Sequence, residues 1–224
     1  MRYGVVWALS LSLVGCATSR LPEEARGRAT LIRPSDADLT DLISYRTLTR
    51  GDFKADAPPP SLSHPERMGA LTCGYVMPAP ETQAMVSHIR QPDGTFRYEG
   101  SVRNLGFRAV MNRNCSWWND DFPSFSSEYV LEHEQIHFAI VEIGARRANE
   151  RADEIARSIR SRGRDYRAAG EKTQGKFEAA LGRLTEQIMN RHTRFDEDTS
   201  LGHFPEKQRE WLERIERELA ETSP

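Results

Sequence analysis

His133, Glu134 and His137 make an HExxH motif in the run His133-Glu134-Gln135-Ile136-His137. On an α-helix, residues four apart lie nearly above one another on one face. Two imidazoles so placed can hold one Zn²⁺, and the carboxylate between them can reach a water on the metal. The metal lowers that water's pKa and Glu134 takes its proton, which makes a hydrolytic nucleophile. Val130, Leu131, Phe138, Ile140 and Val141 surround the motif. They predict a half-buried helix, where imidazoles and a carboxylate without partners would be costly. The implied chemistry is peptide hydrolysis with Zn²⁺ as cofactor, His133 and His137 as ligands and Glu134 as general base.

A catalytic zinc site has three protein ligands and one open position. The sequence leaves the third ligand open among His203, Asp196 and Glu142, in that order. His203 lies on a predicted loop just before a helix, and Asp196 and Asp198 share that loop. Glu142, five residues beyond His137, points away from the pair on a straight helix. His192, near the predicted end of a helix, reads as a partner of the helix dipole. Arg194 and His203 are candidate oxyanion donors. By analogy with zinc peptidases, residues 107–112 could offer an edge that pairs with an extended substrate; the alternative is an ordinary core strand. Trp117 and Trp118 are candidates for the cleft wall, with at least one of them in the core.

The first residues speak to location. Residues 1–16 have the form of a signal peptide, with Arg2 at the start and a short apolar core from Val5 to Val14. That core is too short to span a bilayer comfortably. Leu13-Val14-Gly15-Cys16 looks like a bacterial lipobox, so Cys16 is expected to carry lipid and tether the chain without a spanning helix. Ala17, rather than Asp, follows Cys16 and favours the outer membrane. The expected place is the bacterial envelope, anchored and facing the periplasm. With Cys16 acylated, Cys73 and Cys115 remain, an even pair that predicts a disulfide in an oxidising compartment.

The chain has 224 residues and a net charge of −2, so no polyanion partner is implied and nucleic acid is not expected. The expected partner is a peptide or protein substrate in the envelope, with the membrane touched only through the lipid. Charged residues concentrate in the C-terminal third, where Arg and Glu suit solvated helix faces.

The elements that must position the motif follow from pattern. Residues 17–35 read as a tether containing Pro22 and Pro34. A single domain then covers 36–224. Its sheet half, about 36–118, has a strand at 70–77, two extended runs around the turn Pro92-Asp93-Gly94, and a strand at 107–111. Its helical half, about 126–221, starts at a Ser126 or Ser127 N-cap. One helix is predicted to about Ser161, another over 171–192, then a loop over 193–204. Pro205 opens a last helix whose stripe is Gln208, Trp211, Leu212, Ile215 and Leu219. The fold class is α+β, a small, mostly antiparallel sheet followed by helices, with a zincin-like active-site helix.

Set on this layout, several spaced pieces resemble a bacterial family of predicted secreted zinc-dependent proteases, formally a domain of unknown function. The pieces are Leu48-Thr49 with Asp52-Phe53, Ala70 with Thr72 and Gly74, Ser116-Trp117, His133-Glu134-Gln135 with His137-Phe138, Glu142, Ala145-Arg146, and Phe195-Asp196 with Thr199 and Gly202, then Gln208 and Trp211. The resemblance covers about residues 45–215 and implies a zinc protease. In the family the loop runs Tyr-Asp-x-x-Thr-x-His-Gly. Here Phe195 stands for the Tyr, Leu201 falls in the His slot, and a His lies two residues later at His203. If the loop His is a ligand in relatives, this chain has either shifted it to His203 or lost it, and the alternative to a peptidase is a non-catalytic envelope lipoprotein, a binding or structural module that retains the HExxH helix.

Overall fold

Among the described residues antiparallel strands come first and helices follow, with one short strand between the helices, the α+β order expected. The computed structural model describes residues 40–60, 62, 64–122 and 125–222. The signal segment with Cys16 and the tether at 17–35 lie outside the described residues. The strands are β1 Leu42–Ser44, β2 Ala70–Leu71, β3 Gly74–Pro78, β4 Gln83–Arg90, β5 Phe96–Arg103, β6 Phe107–Asn112, β7 Trp117–Trp118 and β8 Ser161–Gly163. The helices are α1 Ser127–Glu150, α2 Ala152–Ile159, α3 Tyr166–Thr199 and α4 Pro205–Glu221. None of the described helices is long and apolar enough to cross a membrane.

Three small sheets replace the one expected: β1-β6-β3, β2-β7 and β4-β5-β8. The run at 70–77 breaks between β2 and β3 because the Cys73 N–H donates to Ser116 Oγ at 3.0 Å instead of a neighbouring strand. β6 lies between β1 and β3 in its sheet, and β1 covers Val110–Asn112, so that part of the run is an interior strand rather than an edge. Trp117 is a core residue, and Trp118 packs edge-on against Phe53 at 5.4 Å.

The helix boundaries also move. α1 stops at Glu150 rather than near Ser161, because Arg151 leaves helical geometry at φ −108°, ψ 11°. Beyond α2 the chain turns extended as β8 pairs with β5, Gly100 opposite Ser161. α3 begins earlier than expected and runs through the predicted loop to Thr199. Phe177, Leu181 and Ile188 continue in register to Phe195 and Thr199, all five buried. That buried stripe holds the segment helical despite its polar composition.

The described chain divides into two compact units. The first comprises residues 78–107 and 147–185. In it the β4–β5 hairpin closes on Asp93, whose Oδ1 accepts from Thr95 N and Oγ1 at 2.9 and 2.7 Å. Val102, Ile159 and Phe177 form its buried cluster, with Leu105 and Ile155 against it.

The second unit comprises residues 40–77, 108–146 and 186–222 and carries the HExxH helix. α1 is half-buried there, as expected: Phe138, Ala139, Ile140, Val141 and Ile143 are all within the core. Ser126 Oγ accepts from Tyr129 N at 3.3 Å and caps the helix as expected. A Cβ on Gly144 would come within 2.6 Å of Ile188, so α1 and the end of α3 approach as closely as a glycine allows. Gln135, inside the motif, accepts from Leu48 N at 2.7 Å and donates to Arg46 O at 3.3 Å. Glu142 pairs with Arg146 at 2.7 Å, and Arg146 Nη1 donates to the Leu219 and Thr222 carbonyls at the end of α4. Glu142 is therefore structural, as its helical position implied.

Cys73 and Cys115 are joined by a disulfide, Cα atoms 5.9 Å apart, across a sequence separation of 42. In the chain-entropy model a loop of that length contributes about 4 kcal/mol. Cys73→Ser is expected to lower unfolding free energy by about 2–4 kcal/mol in a denaturant titration, and the native chain under reducing conditions should lose as much. Asp52 gives a second expectation. Burial works against its carboxylate, but Arg46 at 2.6 and 2.9 Å and Thr49 N–H at 2.8 Å outweigh burial and hold its pKa below 3.8. A depressed folded pKa gives stability that is present above the unfolded value and lost as pH falls below it. Asp52→Asn should therefore cost about 1–3 kcal/mol at neutral pH, and the gap from the native chain should close below about pH 4.

Candidate metal centre

α1 presents His133 and His137 one turn apart, and α3 presents His192 and Asp196 at the same spacing. The two pairs meet. His133 Nε2 and His137 Nε2 are 3.2 Å apart. Asp196 Oδ1 lies 3.4 Å from His133 Nε2 and 3.2 Å from His137 Nε2. These three atoms form a nearly equilateral triangle, and the three residues are able to hold a metal ion. A tetrahedral ion with bonds of about 2.0–2.1 Å spaces its ligand atoms about 3.3–3.4 Å apart, the size of this triangle.

The other imidazole nitrogens are held from behind. His133 Nδ1 is 3.0 Å from Gln208 Oε1 on α4. An amide oxygen only accepts, so His133 carries its proton at Nδ1 and turns Nε2 toward the triangle as a lone pair. Gln208 is itself fixed, donating to Tyr129 O at 3.2 Å and Glu132 Oε1 at 2.9 Å. His137 Nδ1 lies 2.7 Å from His192 Nδ1. Burial and the adjacent His137 push the His192 pKa down to about 3. A neutral His192 can accept the His137 Nδ1 proton, which again leaves Nε2 for a ligand bond. Phe195 stacks on His133 at 4.4 Å and meets His137 edge-on at 4.9 Å.

The Asp196 carboxylate is only 23% exposed. Burial disfavours its charge, but His137 and His133 more than offset this and hold its pKa well below the ordinary carboxylate range. Glu134 is 3% exposed, and its Oε2 is buried without a hydrogen-bond partner. His133, Glu134 and Asp196 are among the residues that line a small pocket.

Of the residues expected at the site, His133, Glu134 and His137 come together, and Asp196, second among the third-ligand candidates, completes the group. His203 stands outside it: its ring packs on Phe125 at 5.5 Å and on Phe122 at 6.3 Å. Arg194 is exposed. The cap that ends α3 explains the placement of His203. Leu201 N donates to Asp196 O at 2.8 Å and Ser200 N to Glu197 O at 3.2 Å, the paired bonds of a Schellman motif. Ser200, Leu201 and Gly202 all take positive φ, at 47°, 64° and 82°. A Cβ on Gly202 would come 3.3 Å from His133 Nδ1, so the glycine lets the backbone pass close behind the ligand.

Sequence reading gave His192 and Gln208 other roles. His192 stands four residues before Asp196, one turn away on the same helix. Gln208 is a polar residue in an apolar stripe, which is the signal of a buried hydrogen-bonding task. Gln208→Leu is expected to weaken divalent-metal binding by about 10–100-fold in a chelator competition while the fold is retained. Unchanged affinity would remove the orienting role. Comparison with known protein families, curated proteins and solved structures finds no match, so the reading of this centre rests on its own geometry.

Proposed function

We propose that this chain is a zinc-dependent peptidase anchored by lipid in the bacterial envelope. The observation that carries the reading is the triangle of His133 Nε2, His137 Nε2 and Asp196 Oδ1, together with Glu134, which shares a pocket wall with His133 and Asp196 and whose Oε2 is buried without a hydrogen-bond partner. Two imidazoles and a carboxylate, with edges of 3.2, 3.4 and 3.2 Å, suit the ligand set and size of a catalytic zinc site. The disulfide supports an oxidising compartment, and the lipobox pattern ending at Cys16 supports anchorage. Ala17 favours the outer membrane.

When bound, zinc supplies Lewis-acid polarisation of a substrate carbonyl and lowers the pKa of a water. The side chains do the rest. Gln208 and His192 fix the tautomers of the two ligand imidazoles. Phe195 covers the face of His133 and excludes water from it. Glu134 takes a proton from the attacking water at its carboxylate and passes it to the leaving nitrogen as the C–N bond breaks.

Glu134→Gln keeps the size of the side chain and removes the base. It is expected to leave metal content unchanged and to lower kcat for peptide hydrolysis by about 100-fold or more, measured with the zinc-loaded protein. Equal activity in the variant would reject the mechanism.

A further inference from the structure

The whole-chain charge of −2 conceals a division between the two units. The described part of the first unit has thirteen Arg and Lys against nine Asp and Glu, and that of the second has thirteen against twenty. The first unit is therefore cationic on a chain that is anionic overall, and the balance is hidden because each unit is assembled from separate stretches. The excess is concentrated in residues 157–176, which hold seven Arg or Lys and two acidic residues.

The fold gathers these charges around β8. Arg160, Arg162 and Arg164 are exposed and alternate with Ser161 and Gly163, which pack on α3. Ser161 Oγ meets Thr173 Oγ1 at 2.6 Å, and a Cβ on Gly163 would strike the backbone of Ala168 and Ala169. α3 sends two ammonium groups to the same strand: Lys172 Nζ donates to the Arg162 carbonyl at 3.2 Å and Lys176 Nζ to the Arg160 carbonyl at 2.6 Å. Three carboxylates oppose this charge. Glu99 is 3.7 Å from Arg162, Asp165 is 3.2 Å from Arg164 while also accepting from Ala168 N, and Glu171 pairs with Arg167 at 2.6 Å.

The β4–β5 hairpin continues this basic rim. β5 pairs Tyr98 with Gly163, so the next rung brings Arg97 level with Arg164, and like charges in that relation repel unless an anion joins them. On the other side of β5, Ile89 is opposite Arg97 and Arg90 is opposite Phe96. Ile89 is 42% exposed and Phe96 49%, so large apolar side chains stand in water beside arginines. The acid in the turn is Asp93, whose Oδ1 is already held by Thr95. Arginines with apolar side chains among them suit the boundary of an anionic bilayer, where phosphates take the guanidiniums and the apolar groups leave water. A soluble polyanion would satisfy the charges and leave Ile89 and Phe96 exposed.

We propose that the first unit binds an anionic phospholipid surface through Arg97, Arg160, Arg162 and Arg164, with Ile89 and Phe96 entering the headgroup layer. This is a contact with the membrane beyond the one expected through Cys16. It depends neither on the metal centre nor on acylation, and an acyl group would add to it.

The chain from Ala17 onward holds every described element and carries no lipid, so it tests the surface alone. It is sedimented with vesicles of phosphatidylcholine, or with vesicles in which about three lipids in ten are phosphatidylglycerol, at about 0.05 M and about 0.5 M NaCl. Binding should be about tenfold or more tighter on the anionic vesicles at low salt, and should fall toward that on the neutral ones at high salt. Arg160→Gln, Arg162→Gln and Arg164→Gln together should weaken it by about 100-fold, at about fivefold per charge. Arg67→Gln, Arg209→Gln and Arg217→Gln, at exposed positions of the second unit, make the same change in net charge and should leave binding within about twofold. Ile89→Ser should weaken it by about fivefold with the salt dependence kept. Equal binding to the two kinds of vesicle overturns the proposal, and so does an equal loss in the two triple variants. Competition by dextran sulfate, with Ile89→Ser binding vesicles as the native chain does, assigns the patch to a soluble polyanion and overturns it as well.

Discussion

One carboxylate oxygen within 3.4 Å of two imidazole nitrogens is the constraint around which the second unit is organised. Three acceptor atoms this close repel unless a cation or shared protons lie among them. The arrangement must therefore be held by the fold. The packing of Ile188 against Gly144 sets the separation of α1 and α3, and Phe195 fills the space between the two ligand-bearing turns. α4 closes the assembly through Gln208 and through Trp211, whose ring meets Phe195 at 5.4 Å and whose Nε1 donates to Asp198 at 3.0 Å.

Local periodicity made much of this legible. The HExxH spacing is a one-turn relation and needs no tertiary knowledge. The Ser126 cap, the Pro205 start of α4 and the β4–β5 hairpin depend on neighbours in sequence, and all appear near their expected places. The third corner of the triangle was a different problem. Asp196 belongs to a run, Asp196-Glu197-Asp198-Thr199-Ser200, whose polarity reads as loop. Only the buried stripe through Ile188, Phe195 and Thr199 keeps it helical, and a stripe interrupted by His192 is easy to end too soon. His203, the more familiar ligand type, is carried off by a cap that forms without glycine at its first left-handed position.

The sheets were less legible for a related reason. A continuous apolar run at 70–77 predicts one strand, but Cys73 gives its amide to a serine and its sulfur to Cys115. Side-chain commitments of that kind override the strand ladder and are set by partners some forty residues away. Pairing with β1 and β3, both distant in sequence, likewise places β6 at the centre of its sheet.

The middle of the motif is seldom credited with a task, yet the Gln135 amide bonds both Leu48 N and Arg46 O. The stretch following β1 is thereby stapled to the very turn that displays the two ligands. An excised fragment starting beyond Leu48 would strand that amide and free the helix face it covers. The smallest autonomous version of the second unit must accordingly reach back past Arg46, well upstream of every residue that would touch a metal.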